Sequence, residues 1–296
     1  MLLVGTSQGL QDVDTGQRFV TGRAVTALAA GAASTWYALI ERRFVVFLDE
    51  DLGEVSVGEL PRSDGQSLVV LRDGTVAVGR TDARLTTFGR HGEVGHVQAF
   101  ELVPGRDGWQ NPANRTPDTR TMAAGSERWW VNVHVGGVWW SDDGGESWRC
   151  AVEPDADVHE VRVGTDGRVA VAAAVGFGWS ENDGESWSWA TEGLHGQYLR
   201  AAALDGDIAF VSASDGPITR NGAVYRAHLG ESFARCAGGL PARFDDNIDS
   251  GHLDAAGGRA AVGFEDHVYL SEDQGRTWGL ACLVPGAVTA VRFSST

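Results

Sequence analysis

The residues best suited to chemistry in this chain lie far apart. Four histidines stand in polar, turn-like surroundings: Asn132-Val-His134-Val-Gly-Gly137, Asp155-Ala-Asp157-Val-His159-Glu160, Gly193-Leu-His195-Gly-Gln-Tyr198 and Asp249-Ser-Gly-His252. Three imidazoles with a carboxylate such as Asp249 would suit a divalent transition metal, Zn, Fe or Cu. No His-x-x-x-His motif is present, so the alternative for each imidazole is a hydrogen bond to a turn or to a substrate. Arg115, Arg120, Arg200 and Arg220 could clamp an anion in bidentate fashion, or else close salt bridges to nearby aspartates that hold long loops in place. Asp157, Glu160, Asp246 and Asp249 offer carboxylates for acid or base work, and Tyr198 a proton donor or nucleophile. The candidate catalytic set is His159, His195, Tyr198 and Asp249. The candidate substrate-binding set is Trp109, Asn114, Arg115, Arg120, Arg200, Asp215, Arg220 and Asn247. Trp109 could stack on a sugar or aromatic ring, or pack its own loop against the body.

Such scattered residues cooperate only if the fold returns the chain repeatedly to one place. The sequence supplies that periodicity. Ser141 to Trp148 reads Ser-Asp-Asp-Gly-Gly-Glu-Ser-Trp, and Ser180 to Trp187 and Ser271 to Trp278 fit the same pattern: Ser, any, Asp or Asn, any, Gly, any, Ser or Thr, Trp. The acid or amide accepts hydrogen bonds from turn backbone, glycine takes a conformation other residues resist, and tryptophan plugs the gap between sheets. Weaker copies surround Gly16, Gly53, Gly92 and Gly230. The markers recur about every 40 residues, which is propeller spacing.

The pattern resembles the Asp-box, or BNR repeat, of sialidase-like β-propellers. The resemblance implies a scaffold of hairpins and leaves activity open, since Asp-box propellers include assembly factors and receptor ectodomains as well as glycosidases. Sialidases use six blades, an Arg-Ile-Pro segment near the N-terminus, three arginines, an Asp acid and a Tyr/Glu pair. Here the markers count seven blades, the one Pro before residue 100 is in Leu60-Pro61-Arg62, and no Tyr/Glu pair can be assigned.

The expected fold is therefore an all-β, seven-bladed propeller of four-stranded antiparallel blades, forming a single domain over residues 1–296. Each unit reads as strands A to D with the patterned turn between C and D. In the seventh these are Ile248 to Ala255, Arg259 to Phe264, His267 to Ser271 and Thr277 to Leu283. The first unit begins at strand B, Leu2 to Thr6. Its missing strand A is expected from the C-terminal Ala287-Val-Thr-Ala-Val-Arg-Phe293, which echoes Ala24-Val-Thr-Ala-Leu-Ala-Ala30 and would close the ring.

With the patterned turns on one face, the segments leading into strand A and those joining B to C share the other. Blades four to seven elaborate that face, most of all in the insertion 103–121 before blade four. The formal charge of -16 argues against nucleic acid or an anionic membrane as partner. All basic residues are arginine. No signal peptide or membrane span is apparent, which makes a cytoplasmic location the default, and Cys150, Cys236 and Cys282 read as reduced structural thiols. Two functions follow. One is an enzyme-like funnel binding and processing a small polar or anionic substrate, metal-assisted through the histidines. The other is a non-catalytic propeller binding a protein or glycan; a divergent sialidase-type glycoside hydrolase is a further alternative. A mouth rich in His, Arg, Asp and Asn, rather than aromatic anchors, favours the first.

Overall fold

Short runs of Val, Ala, Leu and aromatic residues, each cut off by a glycine- or aspartate-bearing turn, pair most cheaply with their immediate neighbours in sequence. The computed structural model describes residues 1–32, 35–49, 53–89, 92–112 and 114–294, and in it the runs form seven four-stranded antiparallel sheets. The chain is a seven-bladed β-propeller. Blade four comprises Thr119–Ala124, Trp129–Val133, Gly137–Ser141 and Arg149–Val152. Blade five comprises Val158–Val163, Val169–Ala173, Gly176–Ser180 and Ser188–Ala190. Burial peaks at the second strand of a blade and is least at the outermost: Trp129–Val133 is wholly buried, Thr119–Ala124 inside it only in part, and Gly279–Leu283 at the rim of blade seven is mostly exposed.

The ring closes as the sequence echo predicts. Val288–Phe293 pairs with Leu2–Thr6, setting Leu2 opposite Phe293 and Val4 opposite Val291, so blade one is built from both ends of the chain. Strand A of blade seven begins later than expected, at Leu253 and not Ile248. Asp249, Ser250 and Gly251 form a turn instead, with Gly251 at φ +83°, and their polar groups serve the mouth of the ring.

The three patterned turns share one hydrogen-bonding scheme. In the first, Ser141 Oγ accepts the N–H of Gly145 at 2.8 Å, Asp143 Oδ1 accepts the N–H of Ser147 at 2.9 Å, and Trp148 Nε1 donates to the Gly145 carbonyl at 3.1 Å. Ser271, Asp273 and Trp278 repeat the scheme, and Thr277 holds the Asp273 carboxyl down at about 2. The turn aromatics reach across seams: Trp187 meets Trp130 of blade four, Trp278 meets Phe210 of blade six, and Phe233 meets Phe177 of blade five. The turns of blades two and three have no tryptophan, and their Asp51 and His91 lie outside the described residues. Between those blades a groove of about 880 Å³ opens, lined by Tyr37, Phe47, Val57, Val76 and Phe88 among others.

Cys150, Cys236 and Cys282 are free thiols. Among the described residues no helix is long and apolar enough to cross a membrane.

Removing residues 287–296 deletes the inner strand of blade one, and the melting temperature is expected to fall by more than about 10 °C; a truncated protein that melts like the full chain would refute the closure. Trp278→Ala empties a seam position that is 6% exposed and should cost about 3–5 kcal/mol in chemical denaturation.

Candidate functional site

The heads of the inner strands carry an irregularity that aims side chains at the axis. In blades one to five the pairing of strand A with strand B slips by one residue, and the residues passed over are Thr289, Thr26, Gln66, Arg120 and His159. A bulge of this kind reorients a side chain that strict alternation would send elsewhere. Thr26, Gln66, Arg120 and Thr289 line a cavity of about 60 Å³ on the axis. By volume it holds a few waters, not a sugar.

Beneath the mouth, one carboxylate ties three blades together. Glu160 is wholly buried; it accepts the N–H of Ala202 in blade six and of Gly251 at the head of blade seven, each at 3.0 Å, and pairs with Arg162 Nε at 2.9 Å. Burial pushes its carboxyl up, and Arg162 and Arg292 pull it back. Arg162 also donates to the Leu253 carbonyl at 2.8 Å. Burial beside Arg162 brings Arg292 down to about 10. Ser250 Oγ accepts Arg120 Nε at 3.0 Å and donates to the His159 carbonyl at 2.9 Å, joining blades four, five and seven.

Above this floor the candidates separate into those the ring gathers and those it does not. His134 and His159 come together around Asp157. Asp157 Oδ1 lies 3.6 Å from His134 Nε2 and Oδ2 lies 3.6 Å from His159 Nε2. His159 is fully buried and its Nδ1 donates to the Leu199 carbonyl at 2.6 Å, so the neutral ring carries its lone pair on Nε2. Asp118 Oδ1 stands 3.9 Å from His134 Nδ1. Burial, with Arg120 nearby, pushes His134 down to about 4, so it is neutral at physiological pH. Burial acts to raise Asp157, but His159, His134 and Arg120 outweigh it and leave its carboxyl below the ordinary range. Tyr198 lays its ring against His159, centroids 4.7 Å apart.

Beside this cluster Arg120 Nη2 and Arg200 Nη1 share Asp249, at 2.6 Å and 3.5 Å. Burial works to raise the Asp249 carboxyl; the two arginines more than offset it and hold it at about 2. Arg200 Nη2 also donates to the Pro217 carbonyl at 3.0 Å. Asn247 fastens the same loop, accepting from Ser214 Oγ at 2.6 Å and donating to the Gly216 carbonyl at 3.1 Å.

The remaining candidates lie elsewhere or have other partners. His195 is bonded through Nδ1 to the Tyr225 hydroxyl at 2.8 Å and stacks on that ring. His252, half-buried, faces Asp249 and Arg292 and is held below its ordinary range by burial. Neither belongs to the His134, Asp157 and His159 group. Trp109 is 6% exposed and packs on Phe100 and Trp139, so it anchors the insertion to the body and presents no stacking face. Asn114 and Arg115 sit on an exposed turn, where Asn114 Oδ1 accepts the N–H of Thr116. Asp215 and Arg220 are exposed on the loop between Ala213 and Ala223, with Asp215 bonded to Asn221. Sequence reasoning passed over Asp118 and Ser250, although Asp118 stands two residues before Arg120 and Ser250 directly follows Asp249.

The sequence matches no family model and no curated protein. Solved structures do resemble it. A GH74 xyloglucanase from Xanthomonas campestris superposes with a TM-score of 0.69 at 14% identity, over 95% of this chain and 52% of that one. The GH74 enzyme of Niastella koreensis gives 0.65 at 14% identity, over 88% and 47%. The chain thus spans about half the length of these two enzymes. YCF48 bound to D1 peptide gives 0.56 at 10% identity, over 95% and 84% of the two chains. What they share with this chain is the fold.

The Asp249 contribution has a definite sign. A carboxylate whose pKa is depressed on folding stabilises the native state above the ordinary carboxylate range, and that stability is lost as pH falls towards its folded value of about 2. Asp249→Asn should therefore melt below the wild type at pH 7, and the gap should close between pH 4 and pH 2; a gap independent of pH would contradict the ion-pair assignment.

Proposed function

We propose that the mouth formed by blades four to seven binds and processes a small polar or anionic molecule. Arg120 and Arg200 hold its negative group, and His134, Asp157, His159 and Tyr198 act on the part beside it. The observation that carries this reading is the arginine pair sharing a single carboxylate: Asp249 answers both guanidinium groups, and Arg200 Nε has no internal partner. An incoming carboxylate would complete the pairing with charge-assisted hydrogen bonds. His159 is enclosed, with Nε2 turned to Asp157, so its part is to support the Asp157 carboxylate, and Tyr198 against it is read as the proton donor. The axial cavity of about 60 Å³ limits the ligand to the mouth above it, which favours a compact molecule over a polysaccharide.

The patterned turns support grouping the chain with sialidase-like Asp-box propellers. A glycosidase of sialidase type fits less well, because two arginines rather than three meet at Asp249. A protein-binding role finds its support on the opposite face, in the apolar groove between blades two and three and the 53% exposed Val55 beside it. The larger cavities lie on that face, but the convergent polar chemistry does not, and chemistry is the better guide to a small-molecule site.

Thermal-shift and calorimetric screens against small mono- and dicarboxylates and acidic sugars should find a ligand whose affinity drops at least about tenfold in Arg200→Ala, since a charged hydrogen bond is worth about 1.5–3 kcal/mol. Binding unchanged in both Arg200→Ala and His159→Ala would refute the mouth as the site.

A further inference from the structure

The cluster at the mouth contains more lone pairs than donors. His159 Nε2, Asp157 Oδ1 and Asp118 Oδ1 are all buried, and none has a hydrogen-bond partner. His159 is entirely enclosed, and its other nitrogen is committed to the Leu199 carbonyl. A buried acceptor without a donor is costly, and the two that flank each other, on His159 and Asp157, with His134 Nε2 3.6 Å from Asp157, mark a place for a positive species, while Asp118 lies on the far side of the His134 ring.

We propose that His134, Asp157 and His159 form a site for a divalent transition metal, with Asp118 beside it on His134. One ligand atom from each lies within 4.8 Å of the others, and the two Asp157 oxygens divide between the rings, Oδ1 3.6 Å from His134 Nε2 and Oδ2 3.6 Å from His159 Nε2. Bonds of about 2.0–2.1 Å to a tetrahedral ion place ligand atoms about 3.3–3.5 Å apart, so only small side-chain shifts are needed. The Leu199 carbonyl on His159 Nδ1 is the outer-shell contact that ligating histidines characteristically make, and it directs Nε2 inward. Asp157 is held by its backbone: at φ +48° it occupies the left-handed region at the head of the strand that carries His159. Two imidazoles and one carboxylate leave coordination positions open, which is the arrangement of a reactive centre and not of a closed structural site. Zn²⁺ and Fe²⁺ both suit this donor set. Of the four histidines the sequence suggested, two are retained and Asp157 takes the place of the others.

The inference shares the mouth assigned above but rests on the donor set, so it is tested without any organic ligand. Full-length protein stripped with chelator is titrated with Zn²⁺ by calorimetry, with Co²⁺ by visible absorption, and anaerobically with Fe²⁺. One equivalent should bind, and Co²⁺ should give a ligand-field spectrum. Asp157→Asn keeps a residue that tolerates positive φ and should weaken binding about 100-fold or more, as should His134→Gln, while both melt like the wild type in chelator. His228→Gln, on the exposed rim of blade six, should bind as the wild type does. Less than a tenth of an equivalent bound by the wild type, or full binding by Asp157→Asn and His134→Gln, would overturn the proposal. Carboxylate binding that persists in metal-free protein would leave the anion reading standing by itself.

Discussion

Seven inner strands converging on one axis meet a conflict between regular pleating and crowding. Strict alternation would send every second side chain of each strand towards the middle, where there is little room. In blades one to five a slip at the head of strand A relieves it. One residue drops out of register with strand B and is aimed at the mouth, while the strand below returns to its ladder. In blades one to three that residue is Thr289, Thr26 or Gln66; in blades four and five it is Arg120 or His159. The same backbone device thus presents small or neutral groups on one side of the ring and a cation and an imidazole on the other. Ser250 and Glu160 then reach neighbouring blades through backbone groups at the strand heads, the His159 carbonyl and the Gly251 N–H.

The electrostatics follow from that crowding. Glu160, Arg162, Asp254 and Arg292 lie close together beneath the mouth, and desolvating such charges costs about as much as their pairing returns. Their benefit is registration. A carboxylate that must find Ala202, Gly251 and Arg162 at once permits one relative placement of blades five, six and seven. Against an overall charge of -16, four arginines, Arg120, Arg162, Arg200 and Arg292, are set among these inner carboxylates.

What was legible in the sequence was what is encoded locally. The turns from Ser141, Ser180 and Ser271 specify their own hydrogen bonds, so they could be read and counted, and the echo between residues 287–293 and 24–30 gave away the closure. The bulges were hidden, because register belongs to a pair of strands and neither strand states it alone. That is why Asp157 was weighed only as an acid or base, and why His195, which turns away to Tyr225, looked as plausible as His134. Trp109 was open to two readings, and an aromatic pocket already built by Phe100 and Trp139 decided between them.

Seam filling is unevenly distributed around the ring. Trp148, Trp187, Phe233 and Trp278 occupy the turn positions of blades four to seven, the blades that supply the clustered His, Asp and Arg residues of the mouth, whereas between blades two and three Leu39, Val45, Leu68 and Phe88 fill the interior and the turn-face end opens as a groove. The ring is therefore two-sided in what it offers: one arc is sealed on its turn face and keeps its polar chemistry at the mouth, and the other is polar-poor at the mouth and opens an apolar cleft on its turn face.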